Sequence, residues 1–108
     1  MTKVRYTVIC SIAQAETLPE FLAWLKGGHA QALIDAGALS AEVSVLETEA
    51  NEGIVVDAAY VFPSRESLQA YFDGPAAELR VDGKTRWIDT GKVSFSRKIG
   101  AIDFELQT

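Results

Sequence analysis

His29 is the single histidine of this chain and the side chain best suited to acid–base chemistry near neutral pH. An imidazole with an ordinary pKa of about 6.5 both donates and accepts a proton in that range. His29 follows Leu25 by four residues and Leu22 by seven, so an uninterrupted helix places all three on one apolar face. Three roles are open: an acid or base lining a pocket, a core histidine satisfied by a hydroxyl or carbonyl group, or a metal ligand.

Two tyrosines and one arginine are further candidate ligand-binding residues. Tyr6 and Tyr60 fall at the core-facing positions of two alternating patterns, where either hydroxyl could approach His29, although filling the core is the commoner role of a buried tyrosine. Arg97 alternates with the apolar residues of the last predicted strand. A guanidinium at such a position needs a partner, so we expect either an ion pair with Asp57 or an anionic ligand.

Both tryptophans and the only cysteine have candidate roles in packing. Trp24 lies off the main apolar face of its helix, so we expect it to pack against the second helix or to rim a pocket. Trp87 falls in a predicted loop, where it would cover a pocket mouth or a dimer edge. Cys10 has a core-facing position and is expected to act as a small apolar side chain rather than a nucleophile.

The small numbers of cysteine and histidine residues argue against several kinds of site. One cysteine allows no intrachain disulfide, and one histidine with one cysteine is too few for an ordinary zinc site. Motifs for phosphate loops, dinucleotide binding, hydrolase triads and metal clusters are absent from the sequence. We therefore expect neither a metal nor a cofactor.

The charge distribution narrows the choice of partners. The net charge is −5 and the pI about 4.8, which argues against nucleic acid or an anionic membrane surface as the partner. Residues 80–98 nevertheless hold six basic side chains against two acidic ones. This segment is either a solvated edge strand or a site for a small anion or for the acidic surface of a partner subunit. No apolar run of about 20 residues and no secretory leader is seen, so a cytoplasmic location is expected.

Alternation and helix-boundary signals divide the chain into four strands and two helical regions. Residues 3–12 alternate apolar and polar side chains, and residues 54–62 are apolar at nearly every position, which is typical of a central strand. A helix begins near Thr17 and ends at Gly37, and Gly27-Gly28 within it indicates a bend, a close backbone approach or room left for another group. The other predicted elements are a strand at 40–48, a helix capped by Ser64, a helical turn at 76–81, a turn at Asp82-Gly83 and a strand at 92–99.

The resulting order, β-α-β-β-α-β, predicts a ferredoxin-like α+β fold in one domain spanning residues 1–108. Its four-stranded antiparallel sheet would carry two helices on one face. A chain of 108 residues cannot also cover the other face, so we expect a homodimer that packs through the open sheet. The tail at 101–108 alternates Ile102, Phe104 and Leu106, and either adds an edge strand or reaches a neighbour.

Five segments of the sequence are similar to segments of a known family. They are Trp24-Leu25-Lys26-Gly27-Gly28-His29, residues 33–37, Tyr71-Phe72, residues 76–86 and Val93-Ser94-Phe95-Ser96-Arg97-Lys98-Ile99. In this order they resemble the DUF4286 group, a small bacterial family of unknown function. The resemblance implies a dimeric α/β barrel, in which two protomers pack sheet to sheet and each has a pocket between its helices and sheet. The wider group includes monooxygenases, lactone isomerases, polyketide cyclases and haem-degrading enzymes, so the reaction stays open.

Two functions follow from these expectations. The first is a small-molecule-binding dimer that could be a cofactor-independent enzyme of the isomerase, cyclase or monooxygenase type. Its ligand would be a small hydrophobic or carboxylated metabolite, with His29 as acid or base and Trp24, Tyr6, Tyr60 and Arg97 around it. The alternative is a structural or regulatory dimer with a fully packed interior. An open cavity beside His29 lined by tyrosine or arginine favours the first function, and a site filled by leucine and phenylalanine favours the second.

Overall fold

The computed structural model describes residues 1–108 and contains one four-stranded antiparallel sheet. The strands are β1 (Val4–Ile12), β2 (Ser40–Val45), β3 (Ile54–Phe62) and β4 (Val93–Ala101). Their order across the sheet, β2-β3-β1-β4, puts the first and third strands in the centre. This confirms the predicted ferredoxin-like arrangement, with β2 three residues shorter than the 40–48 predicted for it.

Strand register assigns every side chain to one of the two sheet faces. Tyr6 of β1 lies opposite Tyr60 of β3 and opposite Ile99 of β4, so these three residues share the face covered by helices. Arg97 lies opposite Val8 and belongs to the same face. The alternation seen in the sequence therefore assigned these side chains to the correct side.

The first helical region is interrupted where the sequence has its glycine pair. A short 3₁₀ turn at Ala15–Thr17 leads into α1 (Leu18–Trp24), a π-helical turn covers Leu25–His29, and α2 follows at Ala30–Asp35. Gly28 has φ +146°, a backbone conformation that only glycine adopts easily. The expected bend is thus present. Its consequence is that His29 is half-buried beside a pocket and not buried on the apolar face, since the π turn rotates it away from the i+4 position.

The second helical region is also broken, and it extends further than the sequence suggested. Ser64 caps α3 (Arg65–Asp73) by accepting a hydrogen bond from the Ser67 backbone N–H at 3.1 Å. After the break at Gly74-Pro75, α4 (Ala76–Gly83) continues directly into a π-helical turn at Lys84–Ile88.

Two expectations about this region were wrong. Asp82-Gly83 is the end of a helix and not a turn, and Trp87 lies in helical structure and not in a loop. Trp87 is buried in the core, because the continued helix rolls its ring inward against Phe21.

Two apolar clusters lie between the sheet and the helices. The first is built around Tyr60, Phe62 and Leu68, and the second around Phe21, Val56 and Trp87. Val8 packs against both clusters from the middle of β1. The seam between the two clusters is where side-chain packing is interrupted, and the candidate site lies there.

The opposite face of the sheet is uncovered by this chain. Its β3 positions, Val55, Asp57, Ala59 and Val61, alternate with the helix-facing residues. The tail adds no further strand: the Ile102 N–H donates to the Lys3 carbonyl, beyond which Phe104 and Leu106 are exposed. None of the helices has the length and apolar character needed to cross a membrane.

Candidate functional site

A pocket opens between the helices and the sheet, at the seam between the two apolar clusters. It brings together five residues singled out in the sequence, Tyr6, Trp24, His29, Tyr60 and Arg97. Its empty volume is about 480 Å³ when the open mouth is included. At this size the pocket, called the slot below, suits a small molecule.

All three tyrosines of the chain line this slot. Tyr6, at the centre, has its ring 6.2 Å from that of Tyr60 and 6.3 Å from that of Tyr71. Burial raises the pKa of Tyr71 to about 12 and raises the pKa of Tyr60 as well. These two phenols are therefore protonated at neutral pH and act as hydrogen-bond donors or acceptors, not as bases.

Arg97 reaches into the pocket from β4, and its Nε–H donates to the Tyr6 hydroxyl at 2.9 Å. The expected ion pair between Arg97 and Asp57 is absent. Asp57 lies opposite Ile9 on the uncovered sheet face, so the sheet itself separates the two side chains. One Asp57 oxygen, Oδ1, is buried without a hydrogen-bond partner in this chain.

His29 forms the wall of the slot on the side of α1. Its ring stacks on Trp24 with centroids 4.0 Å apart and planes inclined by 24°. Burial lowers the pKa of His29 more than the nearby negative charge of Asp82 raises it. The imidazole is thus neutral at pH 7, and its buried Nδ1 has no hydrogen-bond partner within the chain.

Asp82 holds the two helical regions together beside this stack. It accepts a hydrogen bond from Trp24 Nε1 at 2.9 Å, across 58 positions of sequence, and another from Arg86 Nε at 2.7 Å. Both bonds lower the pKa of the Asp82 carboxyl group, and the bond from Arg86 has the larger effect. The buried Gly83 next to it leaves space for the Trp24 ring, which lies within 3.6 Å of the position its Cβ would occupy.

Two further cations line the pocket, Arg80 and Lys84, which the sequence analysis counted only within the basic segment 80–98 and not among the site residues. They are four positions apart on one helical face, which the interpretation of Asp82-Gly83 as a turn concealed. The local excess of basic residues was the available signal. It pointed to the right segment but not to these side chains.

The chemistry available here is that of a neutral imidazole, protonated phenols and guanidinium groups. No three His, Cys, Asp or Glu side chains come together in a cluster that could hold a metal ion. Cys10 is buried, and burial raises its pKa to about 12, so its thiol stays protonated and unreactive. Proton transfer and orientation of a substrate are what these side chains can do without further groups.

Solved structures with this fold differ widely in sequence. A dimeric ferredoxin-like protein from an uncultured marine organism is 13% identical with a TM-score of 0.72, covering 98% of this chain and 100% of its own. A monooxygenase from Streptomyces coelicolor in complex with nanaomycin D is 15% identical, also with a TM-score of 0.72. The alignment covers 99% of this chain and 93% of the monooxygenase. A mutant form of a cofactor-independent oxygenase from Streptomyces nogalater is 13% identical with a TM-score of 0.63. The alignment covers 98% of each of the two chains. These similarities establish the fold alone.

Sequence comparison places the chain in a family. No curated protein sequence is significantly similar to it. A family profile described as "Domain of unknown function (DUF4286)" matches residues 3–100, which is most of the chain and includes every pocket residue named above. This chain belongs to the DUF4286 family.

Proposed function

We propose that this protein is a homodimer that binds a largely apolar small molecule in the slot beside His29 and catalyses proton transfer on it without a cofactor. The observation that carries the proposal is the half-buried imidazole of His29 in the wall of an open pocket that three tyrosines also line. The solved cofactor-independent oxygenase with the same fold supports this class of chemistry.

The proposed step is a reversible proton transfer. A ligand C–H or O–H bond next to an electron-withdrawing group breaks, its proton passes to His29, and the electron pair stays on the ligand as an enolate or phenolate. A phenol of Tyr6 or Tyr60 donates a hydrogen bond to the oxygen that gains charge. Return of the proton to a different ligand atom completes an isomerisation. In a cyclisation, the carbanion would instead form a bond to a carbonyl carbon of the same ligand, and the oxygen of that carbonyl would take the proton from His29. In an oxygenation, dioxygen would be the oxidant: the carbanion would form a C–O bond to it, and the resulting peroxide would take the proton.

The lowered pKa of His29 suits this role. A base that is neutral at pH 7 is ready to accept a proton, and its conjugate acid returns it readily. Stacking on Trp24 fixes the ring plane, and the bond from Trp24 to Asp82 fixes Trp24. Asp82 is a positioning residue here, because it acts on His29 through Trp24.

The proposed dimer follows from the uncovered sheet face. Apolar side chains of β3 and Ile9 of β1 lie there, around the partnerless Asp57 Oδ1. A second copy packed on this face would remove the apolar groups from water and leave both pockets on the outer sides of the paired sheets. The solved dimeric ferredoxin-like protein of the same fold supports this arrangement.

Exchange of ligand protons with solvent tests the proposed chemistry without knowledge of the natural substrate. Flat ketones and phenols with acidic C–H bonds are incubated with the protein in D2O, and loss of the C–H signal is followed by proton NMR. We expect exchange to be accelerated by the wild type and to fall at least about tenfold in His29→Gln. Lys26→Gln is the matched control, since Lys26 lies in the same helical turn but outside the slot.

The same samples distinguish catalysis from a structural role. If no compound raises the melting temperature or shifts the His29 resonances, and His29→Gln unfolds more easily, then His29 is a structural residue and the dimer has no ligand. Binding without any exchange would leave a binding protein and overturn the catalytic part of the proposal.

A further inference from the structure

We infer that the slot recognises a flat aromatic or conjugated carboxylate, whose negative group is held at the pocket mouth by Arg97 and Arg80. This inference rests on the proposed function, because it names the class of molecule that enters the same pocket. Its first support is the charge of the lining. Three lining side chains are cationic, Arg80, Lys84 and Arg97, and no aspartate or glutamate lines the slot.

Both arginines lack a carboxylate partner, although the chain is acidic. It has 15 Asp and Glu residues against 10 Lys and Arg, so anions are in excess. Arg97 bonds only to the Tyr6 hydroxyl, and Arg80 lies over the ring of Phe72 at 5.3 Å without an ion pair. Lys84, by contrast, is bonded to Asp89 at 2.9 Å, so its charge is already compensated. The two free guanidinium groups are therefore the anion-binding groups.

Tyr6 prepares Arg97 for this task. Its hydroxyl accepts the bond from Nε, which fixes the plane of the guanidinium and leaves the two Nη groups without side-chain partners. A planar guanidinium held in one orientation matches a carboxylate through two parallel hydrogen bonds. Packing against the Phe72 ring similarly restrains Arg80.

The positions of the polar and apolar groups in the lining indicate how the ligand would be oriented in the slot. Arg80 and Arg97 are solvent-exposed, so the carboxylate they bind stays at the mouth and loses little hydration. Deeper in, the lining is formed by buried aromatic and aliphatic side chains such as Tyr60, Tyr71 and Leu33. The acid group would then lie at the rim, with the flat body inside the slot beside His29.

Paired probes that differ only in charge test the inference. Benzoate, 2-naphthoate and indole-3-carboxylate are compared with their uncharged carboxamides, by calorimetry and by chemical shifts of the Arg97 Nε–H and the His29 ring. We expect the acids to bind about tenfold or more tightly than the amides in low salt, and the ratio to shrink as salt is added. Arg97→Gln and Arg80→Gln should each weaken acid binding about five- to tenfold and leave amide binding unchanged.

Two further variants make the test specific. Lys92→Gln removes the same charge from a residue outside the slot, paired with Glu20, and should leave the acid-to-amide ratio unchanged. Arg97→Lys keeps the charge but loses the planar fork, so an intermediate ratio is expected. It also provides a folded variant if Arg97→Gln is destabilised by loss of the bond to Tyr6.

The outcomes separate this inference from the proposed function. Equal binding of acids and amides in the slot would overturn the inference and leave the pocket proposal standing. If neither series binds or shifts the His29 ring, the proposed function fails and the inference fails with it. If the acid-to-amide ratio falls as much in Lys92→Gln as in the two arginine variants, the acids respond to the overall charge of the protein, and a specific arginine site is overturned.

Discussion

His29 stacks on Trp24 although five positions separate the two residues. In an α-helix, side chains three and four positions apart meet, and those five apart do not. Here the Ala30 N–H donates to the Leu25 carbonyl, the i to i+5 bond of a π turn, and this brings residue 29 over residue 24. The orientation of the proposed catalytic base therefore depends on a local departure from α-helical geometry.

Gly28 makes this departure possible, and its replacement should be costly. With φ at +146°, Gly28→Ala strains the backbone, even though no atom lies within 4 Å of the added Cβ. We expect a loss of about 1–2 kcal/mol of unfolding free energy. Gly27→Ala is the matched control, because Gly27 has no positive φ and equally open space, and it should gain up to about 1 kcal/mol. Urea unfolding measures both, and equal effects would contradict the role of the backbone conformation.

The pKa of His29 predicts a specific pH dependence. Because burial lowers that pKa in the folded protein, the unfolded chain binds the proton more readily below about pH 6.5. The stability linked to His29 is therefore fully present above about pH 6.5 and is lost as the pH falls. NMR titration of the imidazole should give a pKa below 6.5, and Asp82→Asn should lower it further by removing the opposing negative charge. A value above 6.5 in the wild type would contradict the burial argument.

Tyr6→Phe should distinguish a tyrosine whose hydroxyl holds Arg97 from a tyrosine that only fills the core. It removes the acceptor of the Arg97 bond, so we expect a loss of about 0.5–1.5 kcal/mol of stability and greater mobility of the Arg97 side chain. In Tyr60→Phe no side-chain hydrogen bond within the chain is lost, and stability should change little. Thermal unfolding and the NMR relaxation of Arg97 Nε test this, and equal losses in the two variants would argue against an organising role for Tyr6.

Trp24→Phe should loosen the link between the two helical regions. The smaller ring can still stack on His29, but it cannot donate to Asp82, so the bond that spans 58 positions is lost. We expect destabilisation of about 1–3 kcal/mol, since some packing volume is lost as well. Hydrogen exchange of the Ala76–Gly83 amides should accelerate. Unchanged exchange there would show that packing, and not the bond, holds this helix.

Ile9→Glu tests the proposed dimer. This residue lies on the uncovered sheet face, where a carboxylate would be buried against the partner. Light scattering should give twice the 11.7 kDa chain mass for the wild type and a mass near 11.7 kDa for Ile9→Glu. The control Ala23→Glu places the same charge on the exposed surface of α1 and should remain dimeric. A monomeric wild type would overturn the proposal outright, and circular dichroism checks that the variant is folded.

The β-strands and their two faces could be predicted from the sequence, because the period of a strand is local. Alternation placed Tyr6, Tyr60 and Arg97 on one face, and the structure confirms that assignment. The order of elements similarly gave the ferredoxin-like fold, and Ser64 marked the start of a helix correctly. The strand faces and the helix start needed only neighbouring residues, and the fold needed only the order of such local elements along the chain.

Relations between distant segments were decided by the tertiary structure alone. Arg97 and Asp57 were expected to form a pair, but Arg97 lies opposite Val8 and Asp57 opposite Ile9, so the two side chains are on opposite faces of the sheet. Alternation alone separates this pair, because Asp57 is three positions from Tyr60 in β3 and Tyr60 shares the face of Arg97. The contact between Trp24 and Asp82, which are 58 positions apart, is a relation that only the tertiary structure shows. The face of His29 was likewise set by one displaced backbone hydrogen bond in the Leu25–His29 turn, which side-chain periodicity does not reveal.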